Sequence, residues 1–289
     1  MATIDLTAPQ QAPSSHPPLL PRPKRGLIYW VREHLIQILG LGALFYMFLP
    51  IFVVFVFSFN SPNGRTNYTW SKFSLNAWLH PCDPAGMCDS LALSMKIGVV
   101  ATIGAAILGT LIAFALARHR FRGRAATNLL IFMPMATPEV VMGSSLLTLF
   151  LNLTVIPLGP ITITIAHVMF CVSYVVVTVK ARIAGLDPRL EQAAMDLYAD
   201  ESTTFWKITF PLVLPGIVAG ALLAFSLSFD DLIVTNFTSG SYVTFPMYVL
   251  GSSQRGTPVQ VNVVGTAMFG IALVFVIGGQ IIRRRRMVV

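Results

Sequence analysis

A chain of 289 residues that is 55% hydrophobic and only 11% charged, with a mean hydropathy of +0.71, cannot clothe a water-facing surface of its size. Soluble domains devote about a quarter of their residues to Asp, Glu, Lys and Arg. The net charge of +8 does not indicate nucleic acid: aromatic-interleaved basic patches are absent, and the basic residues stand at the ends of apolar runs, as in a membrane protein.

Residues 1–26 are rich in Pro, Ser and Gln and read as a disordered stretch within a basic tail over 1–34. The first apolar run, from Ile36, is too long for a signal core, and no small-residue cleavage pattern closes it, so it is expected to be retained. At 1.5 Å per residue, a hydrocarbon core of about 30 Å needs roughly 20 apolar residues. Six runs qualify: Ile36–Phe59, with a bend expected at Pro50; Leu91–Ala117, with Lys96 near its start; Ala125–Leu149, interrupted by Pro134 and Pro138 and carrying Glu139; Gly159–Val179; Leu212–Asn236; and Val261–Ile282. The predicted fold class is an all-α polytopic membrane protein with six transmembrane helices over 35–285, followed by a short tail over 286–289.

Six spans put both termini on one side. Arg22, Lys24, Arg25 and Arg32 precede the first run, and Arg118, Arg120, Arg122 and Arg124 join the second to the third. Lys180, Arg182, Arg189 and Lys207 join the fourth to the fifth, and Arg283–Arg286 end the last. The opposite face holds only Arg65, Lys72, Arg255 and, at its edge, Lys96. Positive charge favours the cytoplasmic side, so both termini are expected there.

Cys82 and Cys88 fall in the first outer loop, "HPCDPAGMCDS", where an oxidising exterior permits a disulfide; two free thiols fit the sequence as well. Cys171 reads as a small buried apolar residue. Gly98, Gly104, Gly109, Gly216 and Gly220 read as points of tight helix packing. Lys96 fits a snorkelling interface lysine as well as a functional one.

Three acids lie where charge is expensive. Counting from Ala125, Glu139 is about 14 residues, or roughly 20 Å, into the third run. Asp230 and Asp231 lie near the outer end of the fifth. A carboxylate near the centre of an apolar slab costs ~2.5–3.5 kcal/mol, so such residues face a cavity or a partner. A cation pathway is the natural reading. Glu139 has an alternative role, satisfying backbone groups freed by Pro134 and Pro138. Neighbouring helical positions point about 100° apart, so Asp230 and Asp231 cannot both face a pore, and one is free to cap a helix or bind Lys96.

Between the fourth and fifth runs lies a polar insert, "LDPRLEQAAMDLYADESTTFWKITFPLVLPG". Asp187-Pro188 is a helix start, and Leu190, Ala193, Ala194 and Leu197 recur at helical spacing as a narrow apolar stripe. Ser202 or Thr203 is expected to cap a second short helix anchored by Phe205, Trp206 and Ile208, with Pro211 at the entry to the fifth span. Such a stripe either packs on its own membrane domain or docks in a groove of a cytoplasmic partner.

The sequence Gln192-Ala193-Ala194, then Tyr198, then Ile208-Thr209-Phe210-Pro211 resembles the signature loop of permease subunits in ATP-binding-cassette importers. That signature runs Glu-Ala-Ala, three residues, Gly, nine residues, then Ile-x-Leu-Pro. Both spacings are intact, while Gln192, Tyr198 and Phe210 depart from it. Because Tyr resists positive φ, the turn is expected to keep ordinary dihedrals or to be taken up around Asp200. The stretches "MPMATPEVVMGSSLLTLF", "HVMFCVSYVVVTVKARIAGLDPRLEQAAMDLYADE" and "FSLSFDDLIVTNFTSG" extend the resemblance over about residues 35–285. Within the family they are most similar to the spermidine/putrescine permeases.

The resemblance implies a type I importer permease fold in a bacterial inner membrane and a coupling loop over 186–211. It implies pairing with a second homologous permease subunit, two cytoplasmic ATPase subunits and an extracytoplasmic substrate-binding protein. ATP and magnesium would be bound by the ATPases; this chain has no P-loop of its own, no nucleophile triad and no metal cluster, and is expected to hold no cofactor and perform no catalysis. The ATPase-coupling role is carried onto Gln192, Ala193, Ala194, Leu197, Tyr198, Ile208 and Pro211. A polyamine is an extended chain of ammonium groups and needs separated acceptors with apolar walls between them. Glu139, Asp230 and Asp231 are the expected acceptors, and Phe225, Phe229 and Phe237 the expected cation–π walls. Alternative readings are the same machine carrying a sugar, an amino acid or ferric ion, and a channel or scaffold without ATP coupling.

Overall fold

The structure, a computed structural model, describes residues 27–64, 66–153 and 156–287. The tail read over residues 1–26, Arg65 of the outer face and the last two residues of the C-terminal tail lie outside them. Compact packing divides the chain after Phe52. The first unit contributes most of helix α1 (Leu27–Phe57), which begins inside the stretch read as tail and continues through Pro50. Leu39, Leu41, Phe45 and Met47 are exposed, and the helix carries no acid in its first turn and no base in its last.

Among the described residues, the regular structure of the second unit is helical apart from one isolated bridge, Asn60 to Phe73. A short α2 (Asn76–Leu79) leads to α3 (Met87–Arg118), then α4 (Arg124–Ala136), α5 (Glu139–Leu153) and α6 (Pro160–Ala184). The polar insert forms α7 (Arg189–Asp196) and α8 (Glu201–Thr204), and the chain continues into α9 (Phe210–Asp230), α10 (Ile233–Thr238), α11 (Phe245–Arg255) and α12 (Val259–Met287). Among the described residues, five helical stretches are long and apolar enough to cross a membrane, and α4 with α5 pass the same test as a pair bent by 105°. Counting the bent pair as one gives the six expected spans.

The core is a three-helix contact of α3, α6 and α9. Lipid tails are as apolar as leucine, so close packing rather than burial from water must hold these helices together. Every fourth residue of α3 is small and buried: Ala101, Ala105, Gly109 and Ala113. A Cβ added at Gly109 would stand 2.7 Å from the Cβ of Val175 on α6, so the two backbones meet at a distance only glycine permits. Gly216 of α9 receives the aliphatic stem of Arg182 in the same way, and that guanidinium donates from Nε to the Leu212 carbonyl at 2.8 Å.

Two elements differ from the sequence reading. The fifth span does not start at Leu212: α8, a π-helical turn over Phe205–Thr209 and α9 run on as one apolar stretch, Glu201–Asp230. Pro211 has no N–H and its ring crowds the carbonyl four residues back, and a widened π turn relieves both problems without ending the helix. The cap of this stretch is Asp200 rather than Ser202 or Thr203, its Oδ1 accepting the Thr203 N–H at 3.2 Å. At the opposite end of α3, Cys82 and Cys88 form a disulfide with Cα atoms 5.4 Å apart. Cys171 is free and buried.

Candidate functional site

The bend between α4 and α5 follows from Pro138. Proline pushes the residue before it out of the helical region, and Thr137 is extended at φ −79°, ψ 133°. Its hydroxyl turns back to the Met133 carbonyl at 2.7 Å. Glu139 then opens α5, where unpaired N–H groups favour a carboxylate. Its side chain is exposed.

A second break lies between α9 and α10. Asp230 is the last residue of α9, and Asp231 is extended at ψ 125°. The Asp231 Oδ2 atom accepts the Thr235 N–H and the Thr235 hydroxyl, both at 2.7 Å. His167 of α6 stands on the other side, its Nε2 3.3 Å from the same oxygen and 3.0 Å from the Thr235 Oγ1. Its Nδ1 is 2.7 Å from the Ser228 Oγ. One placement of protons satisfies all four groups with a neutral ring: Ser228 donates to Nδ1, Nε2–H donates to Thr235, and Thr235 donates to Asp231. The Asp231 side chain is 7% exposed and that of His167 2%. Asp231 is thus a strut tying α9, α10 and α6 together, and its partners are not Lys96, which lines a separate cleft with Ile97 of α3 and Ile161 and Ile165 of α6.

Glu139, Asp230 and Asp231 share one cavity of about 380 Å³. Its aromatic walls are Phe170 and Tyr174 of α6, and Met142 and Leu227 add apolar surface. Asp230 is exposed to it, and among the described residues no ion pair reaches Asp230 or Glu139. The expected walls are elsewhere. Phe225 packs over Gly98 and stacks on Phe229 at 6.1 Å, Phe229 meets Phe245 of α11, and Phe237 lies against Gly143 of α5. The helical period explains this: Leu227 and Asp230 face the cavity, and Phe225 and Phe229, two residues either side of Leu227, point to the opposite face of α9. His167 was not singled out in the sequence, although a histidine centred in the apolar run "TIAHVMFCV" is itself a signal.

The insert presents a different chemistry. The N-cap of α7 is Pro188, and the Oδ1 of Asp187 before it accepts the Arg189 N–H at 2.9 Å. No residue of α7 is buried. Leu190 and Met195 are about half exposed, Leu197 is 81% and Tyr198 99% exposed, and Gln192 and Ala193 are exposed with them. The stripe therefore does not pack on its own spans; only Ala194 is partly covered. Tyr198 itself takes φ +62°, against the expectation that the turn would avoid this conformation at that residue. Its N–H reaches the Met195 carbonyl at 2.9 Å and the Ala199 N–H the Ala194 carbonyl at 3.1 Å. This is the paired bonding of a Schellman cap, which requires a left-handed residue at this position whatever its side chain. Glu191 faces inward, bound by Arg118 of α3 and by the Thr209 hydroxyl, and these bonds hold its carboxyl below the ordinary range. Ile208 is half-buried and Pro211 exposed.

The family described as binding-protein-dependent transport system inner membrane component matches residues 105–285. This chain belongs to that family. Among these inner membrane components, it is 38% identical over 241 residues to the spermidine/putrescine transport system permease protein PotC of Haemophilus influenzae, covering 83% of this chain and 93% of that protein. It is 38% identical over 242 residues to the putrescine transport system permease protein PotI of Escherichia coli K12, covering 81% and 85%. In architecture this inner membrane component is similar to a chain of a bacterial ABC transporter involved in the import of the acidic polysaccharide alginate. The TM-score is 0.63 at 16% identity, over 90% of this chain and 99% of that one. A chain of an amino acid ABC transporter gives 0.55 at 15% identity, over 74% and 100%. The fold is that of ABC transporter permeases, and cargoes as unlike as these leave the choice of solute to the side chains.

Proposed function

We propose that this chain is one permease subunit of an ATP-driven polyamine importer, carrying spermidine or putrescine. It forms half of the pathway beside a second homologous subunit. The observation that carries the cargo assignment is the cavity lined by Glu139 from one broken span and Asp230 from another, with Phe170 and Tyr174 between as walls. Two separated carboxylates and aromatic faces suit a chain of ammonium groups with methylenes between them. Partial exposure of both acids suits passage, since a site that gripped the cargo too tightly would not release it. A neutral sugar would have no use for either charge.

Two ATPase subunits would hold ATP and magnesium, and one of them docks on the exposed side of α7 through Gln192, Ala193, Leu197 and Tyr198. Ala194 and Ile208, both partly covered, and the exposed Pro211 complete the residues assigned to coupling. An extracytoplasmic binding protein delivers cargo to the far mouth. The distribution of Lys and Arg supports an inner-membrane topology with both termini cytoplasmic. The test is radiolabelled spermidine uptake by the complete complex in proteoliposomes. Asp230→Asn and Glu139→Gln should each raise the half-saturating concentration. Unchanged uptake in both, and in their combination, would refute the cargo path.

A further inference from the structure

Helix α7 is tied to the spans through Glu191, whose side chain lies on the side of the helix that also carries the partly covered Ala194 and lines a cavity with Met195. The carboxylate of Glu191 binds both terminal nitrogens of Arg118, one through each oxygen, at the C-terminal end of α3. One of those oxygens also accepts the hydroxyl of Thr209, a buried residue of the π turn that feeds α9. A single carboxylate thus touches two of the three core helices' termini. Little else fills the space around it. Cavities of about 430 and 350 Å³ lie beside the clasp, each lined by both Arg118 and Glu191. Helix α7 buries no residue of its own.

The sequence adds a second observation. The signature loop that this insert resembles has its acid at the position of Gln192, which is exposed here, and the carboxylate stands one residue earlier. One helical position is about 100° of rotation, which moves the acid from the outer side of α7 to the inner side. A fork-to-fork guanidinium–carboxylate pair also fixes direction as well as distance.

We propose that Glu191 is the positioning residue that carries a displacement of α7 to α3 and α9 together, so that its loss uncouples ATP hydrolysis from transport without abolishing either assembly or hydrolysis. The proposal rests on the reading of the chain as an ATPase-coupled permease. Spermidine uptake and ATP hydrolysis are measured in the same proteoliposomes holding the full complex. In Glu191→Gln, spermidine moved per ATP should fall about tenfold, within the range expected of a coupling between remote sites, while hydrolysis stays within about twofold of the parent. The exchanged pair Arg118→Glu with Glu191→Arg should recover most of the loss, since the Thr209 oxygen can accept from an arginine. If Glu191→Gln does not assemble, Thr209→Val, which removes one contact, carries the same comparison. Parental spermidine per ATP in the assembled variant overturns the tether alone. A parent complex whose hydrolysis does not respond to spermidine-loaded binding protein overturns the importer reading and the tether with it.

Discussion

The Nε2 atom of His167 lies 3.3 Å from Oδ2 of Asp231, the oxygen that also takes both protons offered by Thr235. Adjacent aspartates therefore do different work: Asp231 is held by the two donors of Thr235 beside the His167 ring, and Asp230 is left facing the cavity. Asp230→Asn should raise the half-saturating spermidine concentration roughly fivefold, equivalent to about 1 kcal/mol for a half-solvated ion pair, with the yield of folded protein unchanged. Asp231→Ala and His167→Leu should instead leave buried donors without acceptors, at ~1–3 kcal/mol for each group. Their signature is a lowered thermal midpoint in detergent. A midpoint equal to the parent's in both would remove the strut from the account.

The Glu191 clasp has a pH signature. Arg118 and Thr209 hold this carboxyl below its ordinary value of 4.5. Its contribution to stability is therefore complete above that value and is lost as the pH falls through the lower value of the folded protein. Thermal midpoints of the purified subunit measured between neutral pH and the acid limit should fall on the acid side. Glu191→Gln should flatten that limb while leaving the other carboxylates' share. An identical acid limb in parent and variant would show that the pair is solvated and adds nothing.

Much of this molecule was readable before its coordinates, and the failures share a cause. Runs of about 20 apolar residues have one solution in a membrane, so the six spans followed from length alone. Pro138 marks the break in the third span, but the same argument overreaches at Pro134, which lies inside α4, and at Pro211, where a π turn carries the helix through. The three acids stand out in the sequence because charge in an apolar run is rare, and they line one cavity. Phe225 and Phe229 stand near Asp230 in sequence, but helical phase puts them behind the cavity, whose aromatic lining, Phe170 and Tyr174, comes from another helix. His167 went unnoticed for want of a neighbour in sequence: its partners are Ser228, Asp231 and Thr235, and only the packing of α6 on α9 and α10 assembles them.

That packing depends on the small-residue row of α3. Gly109→Ala would place a methyl 2.7 Å from the Val175 Cβ, a rigid neighbour. Forcing the helices apart should cost about 1–3 kcal/mol. Gly270 of α12 supplies the control, because a Cβ there would meet nothing within 4 Å. Gly270→Ala should be neutral or should gain up to ~1 kcal/mol from helix propensity. The ordering of the two thermal midpoints relative to the parent is the measurement, and equal shifts would mean that α3 and α6 do not meet as described.

Tyr198 separates stability from docking at one position. It holds φ +62° with 99% of its surface exposed, so its side chain supports nothing within this chain while its backbone carries left-handed strain. That conformation costs a residue with a Cβ roughly 1–2 kcal/mol, and glycine, the signature residue here, escapes it at the expense of more freedom in the unfolded chain. Tyr198→Gly should therefore raise the stability of the isolated subunit by about 1 kcal/mol or less. The ATPase is the partner proposed for this face. The same variant should bind the ATPase subunits more weakly, by roughly three- to tenfold for a lost aromatic anchor. A variant both more stable and equally well bound would make Tyr198 a bystander, and the docking surface would then shrink to Gln192, Ala193 and Leu197.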